Sequence, residues 1–455
     1  MGILATNEIV MLVALPLVVV VGVVLAVRPV IGLYLMAGVV PLEAALMVGG
    51  ASAPRLIGMA VFGTWAMQKL LRREPLGPLM APGLVRAALL LLTVACLSVF
   101  WAEYLDGVNR HLFLLVQLIL LTVLVFDLAR SWDRVAWVAK FLVLGATVAA
   151  LITLEQYFFG GERRAGGGVV GGINRTAMTL VIILPFAFYL LRSGETAFWR
   201  WLGLGYIGIA GLAVAATLSR MNYLVFPMVV AVQLALMTQT RRGRRRMLLL
   251  GAAAVIAVSF MPMDVIRGRA ESIVPYLTST VARENPGDTY SARGFMMQVS
   301  LAMFIDRPIL GAGYRNYMPH FMNYQEMVPG AWRMYTSGMS PHGSHQGFLA
   351  ELGIVGTLLW LTLFVVAARN LKSAWRTARD PTSVQALLTQ TVAIAVGLLF
   401  LYGFYENVHT DKVLWIILGL VVAVHRLAKS EQAPGHVAVQ PDVIRVPEKD
   451  LAPIS

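Results

Sequence analysis

Charge and cysteine are the scarcest features of this sequence. Only 13% of its 455 residues are charged, against about 25% in a soluble domain. The single cysteine, Cys96, lies inside an apolar run, which excludes an internal disulfide and a cysteine-based metal cluster. The first apolar segment has neither a basic leader nor a small-residue cleavage site, so we expect it to stay in the protein rather than be removed as a signal peptide.

Long apolar runs take the place of charge. Hydrophobic residues make up 58% of the chain and form runs of about 20 residues, the length that crosses the hydrocarbon core of a bilayer. We therefore predict an all-α polytopic membrane protein with 12 or 13 transmembrane helices, and not a membrane β-barrel of short alternating strands. The predicted spans are residues 10–27, 30–48, 56–71, 84–101, 110–128, 136–158, 177–191, 201–218, 222–238, 247–262, 346–368, 386–405 and 412–427.

Basic loops predict how these spans are oriented. The net charge of +13 comes mostly from arginine, and clustered arginines mark cytoplasmic loops. Residues 241–246, "RRGRRR", are the strongest such anchor, and alternation of the spans puts 72–75, 129–134 and 368–379 on the same side. Because most of the charge is spread over short loops, it does not predict a nucleic-acid partner.

The predicted organisation has four parts. Residues 1–262 form a transmembrane bundle, 263–345 an external helical subdomain, 346–428 the last transmembrane helices, and 429–455 a cytoplasmic tail that we expect to be disordered. The external subdomain contains no lysine, and arginine is the residue whose planar fork binds phosphate with two hydrogen bonds. Its arginines either pair with acids of the same segment or, as a group, bind an anionic ligand. They are Arg267, Arg269, Arg283, Arg293, Arg307, Arg315 and Arg333.

Two further arginines stand at the start of spans. Arg220 lies in "ATLSRMNYLVF", between two spans with almost no loop, where a charge is costly unless it faces a cavity or a partner. It either reaches the lipid headgroups or holds the phosphate of a lipid-borne substrate. Arg175, in "GGINRTAM", precedes another span beside a Gly-rich loop, and the same two interpretations apply to it.

Two histidines, His342 and His345, begin the eleventh predicted span, and their spacing lets them share one helix face. No third ligand stands at a recognisable spacing and no H-E-x-x-H motif is present, so we predict no metal site. A histidine of near-neutral pKa suits the role of general base for a hydroxyl. The alternative is a polar cap on one more hydrophobic helix.

Acidic residues also occur near these spans. Glu351 lies inside the apolar run after the histidines, where a carboxylate indicates a functional or helix-packing partner. Glu406, His409 and Asp411 occupy the last external turn, and we interpret them as ordinary loop polarity.

These features, in this order, resemble the O-antigen ligase and polymerase superfamily. The family's histidine, acidic residue and glycine are similar to "HGSHQGFLAELGIVG", where the spacing to Glu351 favours His342 and the local "HQGFL" favours His345. "DRPILGAGYRNY" resembles the family's D-x-P-[LI]-x-G-x-G-x-x-N segment. The resemblance covers about residues 170–370 and includes "INRTAM" from Ile173, "TLSR" ending at Arg220 and "SAR" ending at Arg293.

The resemblance implies a fold and a reaction. The fold is an all-helical, GT-C-like membrane glycosyltransferase of the bacterial inner membrane with its active site on the periplasmic face. The reaction is the inverting transfer of a glycan from undecaprenyl diphosphate to an acceptor hydroxyl, without a metal or other cofactor. The acceptor is lipid A–core in a ligase, a second carrier-linked unit in a polymerase and a protein hydroxyl in an O-oligosaccharyltransferase.

The resemblance also implies roles for residues. Either His342 or His345 would position or deprotonate the acceptor hydroxyl, and Arg220 and Arg293 would bind the diphosphate of the donor. Further contacts to the diphosphate or the glycan are expected from Arg175, Arg315, Asn174 and Glu351.

Two other protein classes remain as alternatives. A transporter of anionic lipid or polysaccharide would use external arginines to receive its substrate, but its binding site is expected near the bilayer midplane. The unusual charges of this sequence collect instead at the external rim. A non-catalytic scaffold of an envelope assembly would leave the lysine-free, arginine-rich segment without an explanation.

Overall fold

The structure, a computed structural model, describes residues 28–43, 45–48, 51–160, 166, 172–237, 289–328, 338–378 and 380–432. The predicted spans 10–27 and 247–262, the basic loop 241–246 and most of the predicted tail lie outside these ranges. So do 263–288 and 329–337 of the predicted external subdomain, which contain Arg267, Arg269, Arg283 and Arg333.

Short elements open the described chain. They are α1 (Pro29–Val39), a 3-10 turn (Val40–Leu42), the antiparallel pair β1 (Met47–Val48) and β2 (Ala51–Ser52), α2 (Ala53–Leu71) and α3 (Gly77–Met80). The span predicted over 30–48 is therefore corrected to a helix of 11 residues. It ends there because Pro41 has no backbone N–H to continue it.

Longer helices follow. They are α4 (Gly83–Leu97), α5 (Val108–Leu128), α6 (Trp132–Phe158), α7 (Ile173–Arg192), α8 (Ala197–Ala216) and α9 (Arg220–Met237). After them come α10 (Thr289–Asp306), α11 (Tyr317–Gln325), α12 (Ser344–Thr377), α13 (Val384–Tyr402) and α14 (Lys412–Ser430).

Nine helices of the described chain, α4 to α9 and α12 to α14, are long and apolar enough to cross a membrane. A helix pairs its own backbone groups, which is the condition for a segment to lie in hydrocarbon. The prediction of an all-α polytopic membrane protein is thereby confirmed.

Side-chain contacts identify one end of the bundle, here called the site end. Tyr402 at the end of α13 donates a hydrogen bond to Asn222 in the first turn of α9. Ser344, the first residue of α12, has its hydroxyl 2.9 Å from Nδ1 of His409, just before α14. Arg175 in the first turn of α7 bonds to the same loop. The site end thus gathers the N-termini of α7, α9, α12 and α14.

The opposite end gathers basic segments. Trp132 at the start of α6 and Gln385 at the start of α13 both donate to Glu431, each at 2.8 Å. Arg130 lies 3.7 Å from Glu74. The basic segments 72–75 and 129–134, predicted to share one side of the membrane, therefore lie together at this end.

Helix α12 is broken at Gly353, whose φ of 59° and ψ of −154° are not helical. The break removes the two i to i−4 bonds that would cross it. The carbonyls of Ala350 and Glu351 and the N–H groups of Ile354 and Val355 thereby lose their helical partners. Such groups are costly to leave unpaired in an apolar environment, so another part of the chain must satisfy them.

The segment 308–313, from "DRPILGAGYRNY", supplies the missing partners. Its N–H groups at Ala312 and Gly313 donate to the two open carbonyls at 3.0 and 2.7 Å. Its carbonyls at Pro308 and Ile309 accept from the two open N–H groups at 2.9 and 3.3 Å. The segment is in effect inserted into the helix.

Two glycines allow this insertion. Gly353 has a left-handed φ, and a Cβ there would lie 2.5 Å from the carbonyl oxygen of Ile309. Gly311 has a φ of 67°, and a Cβ there would lie 2.5 Å from the carbonyl oxygen of Glu351. Any other residue at either position would strain the backbone. Its Cβ would also push the inserted segment away from α12.

The inserted segment continues into contacts with the loop between α4 and α5. The backbone N–H of Tyr314 donates to Oγ of Ser98 at 2.9 Å. The side-chain amide of Asn316 both donates to and accepts from the backbone of Tyr104, each at 2.9 Å. These bonds fix α10 and α11 on the site end.

We expect Gly353→Ala to destabilise the protein, because alanine would adopt a left-handed backbone at a cost of about 1–3 kcal/mol and would also clash with the inserted segment. The measurement is thermal unfolding of the purified protein in detergent. Gly397→Ala is the matched control, since Gly397 is a helical glycine of α13 with no atom within 4 Å of its would-be Cβ. Equal melting temperatures for the two variants would contradict the role assigned to Gly353.

Candidate functional site

The loop between α13 and α14, residues 403–411, lies at the centre of the site end and buries its polar side chains. His409 is 5% exposed and Asp411 7% exposed, and the side chain of Glu406 is 13% exposed. The interpretation of these three residues as loop polarity is therefore wrong. Burial raises the pKa of both carboxyl groups and holds the pKa of His409 well below its usual range.

Arg293 and Glu406 form an ion pair across the site. Nη2 of Arg293 donates to Oε1 of Glu406 at 3.1 Å, although the two residues are 113 positions apart in the chain. Burial is the largest influence on the pKa of Glu406 and raises it, whereas Arg293 and Arg175 act to lower it. The pair holds the guanidinium, which is 23% exposed, in a fixed position at the site end.

His342 stands beside this pair. Burial lowers the pKa of its imidazole, and the positive charge of Arg293 lowers it further. Its ring makes no hydrogen bond with any other residue that the structure describes. Its backbone φ of 47° is left-handed, an uncommon conformation for a residue with a side chain. His342 is thus held as a neutral imidazole whose nitrogens face no protein partner in the described chain.

His345 is placed differently. Nε1–H of Trp360 donates to its Nδ1 at 2.8 Å, so this nitrogen is an acceptor. Its Nε2 is then the protonated nitrogen and donates to the carbonyl oxygen of Phe400 at 2.9 Å. Both ring nitrogens are occupied and the residue is 9% exposed. His345 therefore joins α12 to α13 and offers no nitrogen to a substrate.

Glu351 also faces the protein rather than open space. It is 5% exposed, and its carboxylate accepts the backbone N–H of Tyr317 at 3.4 Å. The backbone N–H of Arg315 faces the same carboxylate. The geometry fits a residue that positions the segment carrying Arg315, and not one that touches the substrate.

Arg175 is fixed by the 403–411 loop. Its Nη2 donates to the carbonyl oxygen of Asn407 at 3.0 Å and to Oγ1 of Thr410 at 2.9 Å, and its Nε lies 3.8 Å from Oδ2 of Asp411. Asn174, the preceding residue, is half-buried in the first turn of α7.

Arg315 and Arg175 both line a cavity of about 540 Å³ at the site end, here called the basic cavity. Arg315 is half-buried, has a left-handed φ of 62°, and makes no side-chain hydrogen bond or ion pair with another described residue. The other charged or titratable residues that line the basic cavity are Glu43, Arg55, Arg110, His111, Asp411 and Lys412.

Arg220 is the first residue of α9 and is half-buried. Leu218, just before it, has a left-handed φ of 53°, which produces the tight turn between α8 and α9. Arg220 lies close in sequence to Asn222, which is tied to the end of α13 by Tyr402. Arg220 therefore stands at the site end but does not line the basic cavity.

Sequence reasoning missed two groups of residues. Glu406 and Asp411 looked like loop residues because the arginines that they bind are remote in the chain. Arg55, Arg110 and Lys412, which line the basic cavity, were not singled out in the sequence. A signal was nevertheless present, because each stands in the first turn of a helix, on the side of the membrane that the basic loops predict to be external.

Within the part of the chain that the structure describes, no three His, Cys, Asp or Glu side chains are grouped so that they could hold a metal ion.

Residues 205–361 match the family model described as O-antigen ligase. Among curated proteins the chain finds no match. Arg175 and Asn174 precede the matched region, which contains Arg220, Arg293, Arg315, His342, His345 and Glu351. The family consists of glycosyltransferase-like ligases and polymerases. The match confirms the predicted relationship: through residues 205–361, this multi-pass membrane protein is related to the O-antigen ligase superfamily.

Proposed function

We propose that the protein transfers a glycan from undecaprenyl diphosphate to an acceptor hydroxyl at the site end of its bundle. The observation that carries this proposal is the pairing of a neutral imidazole without a described hydrogen-bond partner, His342, with the fixed guanidinium of Arg293. One group is suited to accept a proton and the other to stabilise a phosphate. Both lie in the region that matches the O-antigen ligase model.

In the proposed reaction, the acceptor oxygen attacks the anomeric carbon and the bond from that carbon to the diphosphate oxygen breaks. Its electron pair leaves with the diphosphate, which gains negative charge that Arg293 and Arg220 stabilise. The proton of the acceptor hydroxyl passes to His342. A single displacement inverts the configuration at the anomeric carbon.

The charge distribution supports a periplasmic location for the site end. The basic segments 72–75 and 129–134 lie at the opposite end, as the positive-inside rule expects of the cytoplasmic side. We infer that the protein is in the bacterial inner membrane with the site end in the periplasm and the end of α14 in the cytoplasm.

Lipid A–core is the proposed acceptor, and a second carrier-linked unit or a protein hydroxyl is the alternative within the same superfamily. The assay that identifies the acceptor offers the purified protein a carrier-linked glycan together with lipid A–core, a second carrier-linked unit or a peptide. A transporter would instead move the lipid without forming any covalent product.

We expect His342→Ala to reduce glycan transfer by about 10²–10⁴-fold, because the proton acceptor is lost. The measurement is product formation from a carrier-linked glycan, followed on gels. His345→Ala is the comparison: it should lower the melting temperature, since it leaves Trp360 without its acceptor at a cost of about 1–3 kcal/mol, while the protein that remains folded keeps most of its activity. If the His345 variant is folded and inactive and the His342 variant is active, the assignment is wrong.

We expect Arg293→Gln to reduce transfer by about 10²–10³-fold, because the departing diphosphate loses a fixed positive charge. Arg307→Gln is the matched control. Arg307 belongs to the same arginine-rich segment, but it is bound 2.5 Å from Glu103 and away from His342. Equal losses in the two variants would indicate a general effect of charge and not a role for Arg293.

The pH dependence of kcat/KM should show an acidic limb with a midpoint below 6.5. Burial and Arg293 both lower the pKa of His342, so the neutral form that accepts a proton persists to lower pH than for an ordinary histidine. Activity should therefore decline as the pH falls through that midpoint, where half of the His342 imidazole is protonated and kcat/KM is half its maximum. A midpoint at or above 6.5 would contradict the assignment of His342 as the base.

A further inference from the structure

Helix α10 is apolar on two sides. One side packs on α11 and α12 through buried residues, namely Phe295, Met296, Val299 and Met303. The other side carries Met297, Leu301 and Ile305, which are 61%, 49% and 69% exposed. Their spacing of four residues places these three side chains in one row, here called the outer stripe. A helix that is apolar on both faces is normally surrounded by apolar material, so the outer stripe indicates an apolar partner.

The outer stripe continues beyond the end of α10 into the inserted segment. Ile309, four residues after Ile305, is exposed, and its carbonyl oxygen accepts the N–H of Val355 just after the break in α12. The next exposed apolar side chains along α12 are Ile354 and Leu358. Because α12 is long and apolar enough to cross a membrane, its exposed apolar side chains face lipid. The outer stripe therefore leads into the lipid-facing surface of a span.

The length of α12 places the inserted segment within the hydrocarbon of the bilayer. Arg369 is the first charged residue of α12 after the break, and it lies towards the end of the bundle opposite the site. Helix geometry puts about 24 Å between Gly353 and Arg369. Since the hydrocarbon core is about 30 Å thick, the break lies inside its boundary at the site end. Any tilt of α12 places the break deeper.

The two ends of α10 lie at different depths. Arg293, near its start, pairs with Glu406, whose backbone carbonyl accepts the N–H of Ser344. Arg293 is thus near the first residue of α12, about 13 Å of helix further out than the break. The other end of α10 leads directly into the segment inserted at the break. The helix therefore descends from the level of the headgroups towards the hydrocarbon.

The charged side chains at the lower end of α10 are bound to neighbouring elements. Arg307 donates to Glu103 of the loop between α4 and α5, and its Nε lies 3.5 Å from Asp306. Tyr324 of α11 donates to the same aspartate. Charges at the edge of hydrocarbon require such partners. This group of charges is therefore compatible with a helix end at the boundary of the bilayer.

We propose that the outer stripe of α10, together with Ile309, is inserted in the bilayer leaflet at the site end and contacts the hydrocarbon chains of its phospholipids. Part of the segment that the sequence predicts as an external subdomain is then a membrane-embedded element, with Ile305 deeper than Met297. Because Arg293 belongs to the same helix, the insertion also fixes the height of this guanidinium relative to the bilayer. The inference requires nothing of the proposed reaction.

The test attaches a nitroxide spin label at single positions of α10. It measures collisions of the label with molecular oxygen, which dissolves in hydrocarbon, and with a nickel chelate, which stays in water. The variants Met297→Cys, Leu301→Cys and Ile305→Cys are made in a Cys96→Ala background, since Cys96 is the only cysteine of the chain. The full-length protein is placed in vesicles of phosphatidylethanolamine and phosphatidylglycerol. The ratio of oxygen to nickel accessibility should rise severalfold from Met297 through Leu301 to Ile305.

Two exposed positions calibrate this ratio. Leu358→Cys, in the span α12, gives the value for hydrocarbon, and Asn323→Cys, on the polar surface of α11, gives the value for water. The label at Ile305 should approach the value at Leu358.

Three outcomes would overturn the proposal. A ratio at Ile305 equal to that at Asn323 would mean that the outer stripe faces water. A label at Ile305 that is shielded from both probes would mean that protein, such as a second copy of the chain, covers the stripe. Equal ratios along α10 would contradict its descent into the leaflet. All of these measurements are made without substrate, so their outcome is independent of whether the protein transfers glycan.

Discussion

The pairing of backbone groups at the break in α12 is the constraint on which the site end depends. A transmembrane helix cannot leave two carbonyls and two N–H groups unpaired in an apolar setting. The segment 308–313 provides all four partners, and it can approach only because Gly311 and Gly353 have no side chain. The chain between α10 and α11 is therefore anchored at the break in α12 by backbone hydrogen bonds. Arg315, two residues after the inserted segment, thereby reaches the basic cavity. Glu351, two residues before the break, accepts the backbone N–H of Tyr317, which also follows the inserted segment.

A second constraint is the burial of carboxylates in the 403–411 loop. Burial raises the pKa of Glu406 and of Asp411, whereas the arginines beside them, Arg293 and Arg175, act to lower it. The same pairing holds the two arginines still before any substrate arrives, which is the condition for a charge to stabilise a transition state without reorganisation. Arg315, which has no such partner in the described chain, has its charge available to a ligand. The site end thus combines two arginines that carboxylates hold in place with one, Arg315, that has no carboxylate partner among the described residues.

Several of these features could be predicted from the sequence because they depend on local pattern. Apolar runs of about 20 residues predicted nearly all of the long helices, and "DRPILGAGYRNY" could be recognised by its resemblance to a segment of the family. The length of α1 was overestimated, as a span over 30–48, because the apolar run continues past Pro41. The choice between His342 and His345 depends on Trp360 and on Phe400, which are 15 and 55 residues from His345. The role of Glu406 also depends on a remote residue, because its partner Arg293 is 113 residues away. Contacts at such separations leave no trace in the spacing of a single sequence.

The closeness of Arg293 and His342 has a chemical consequence. A positive charge beside an imidazole makes it a weaker base, which at first disfavours proton abstraction from a hydroxyl. The hydroxyl, however, becomes acidic only as its oxygen bonds to the anomeric carbon, so the proton moves late and a weak base suffices. A neutral imidazole matters more than a strongly basic one, because a histidine that is protonated before the reaction cannot accept the proton of the hydroxyl. In the proposed mechanism Arg293 therefore serves twice, by stabilising the departing diphosphate and by keeping His342 in its neutral form.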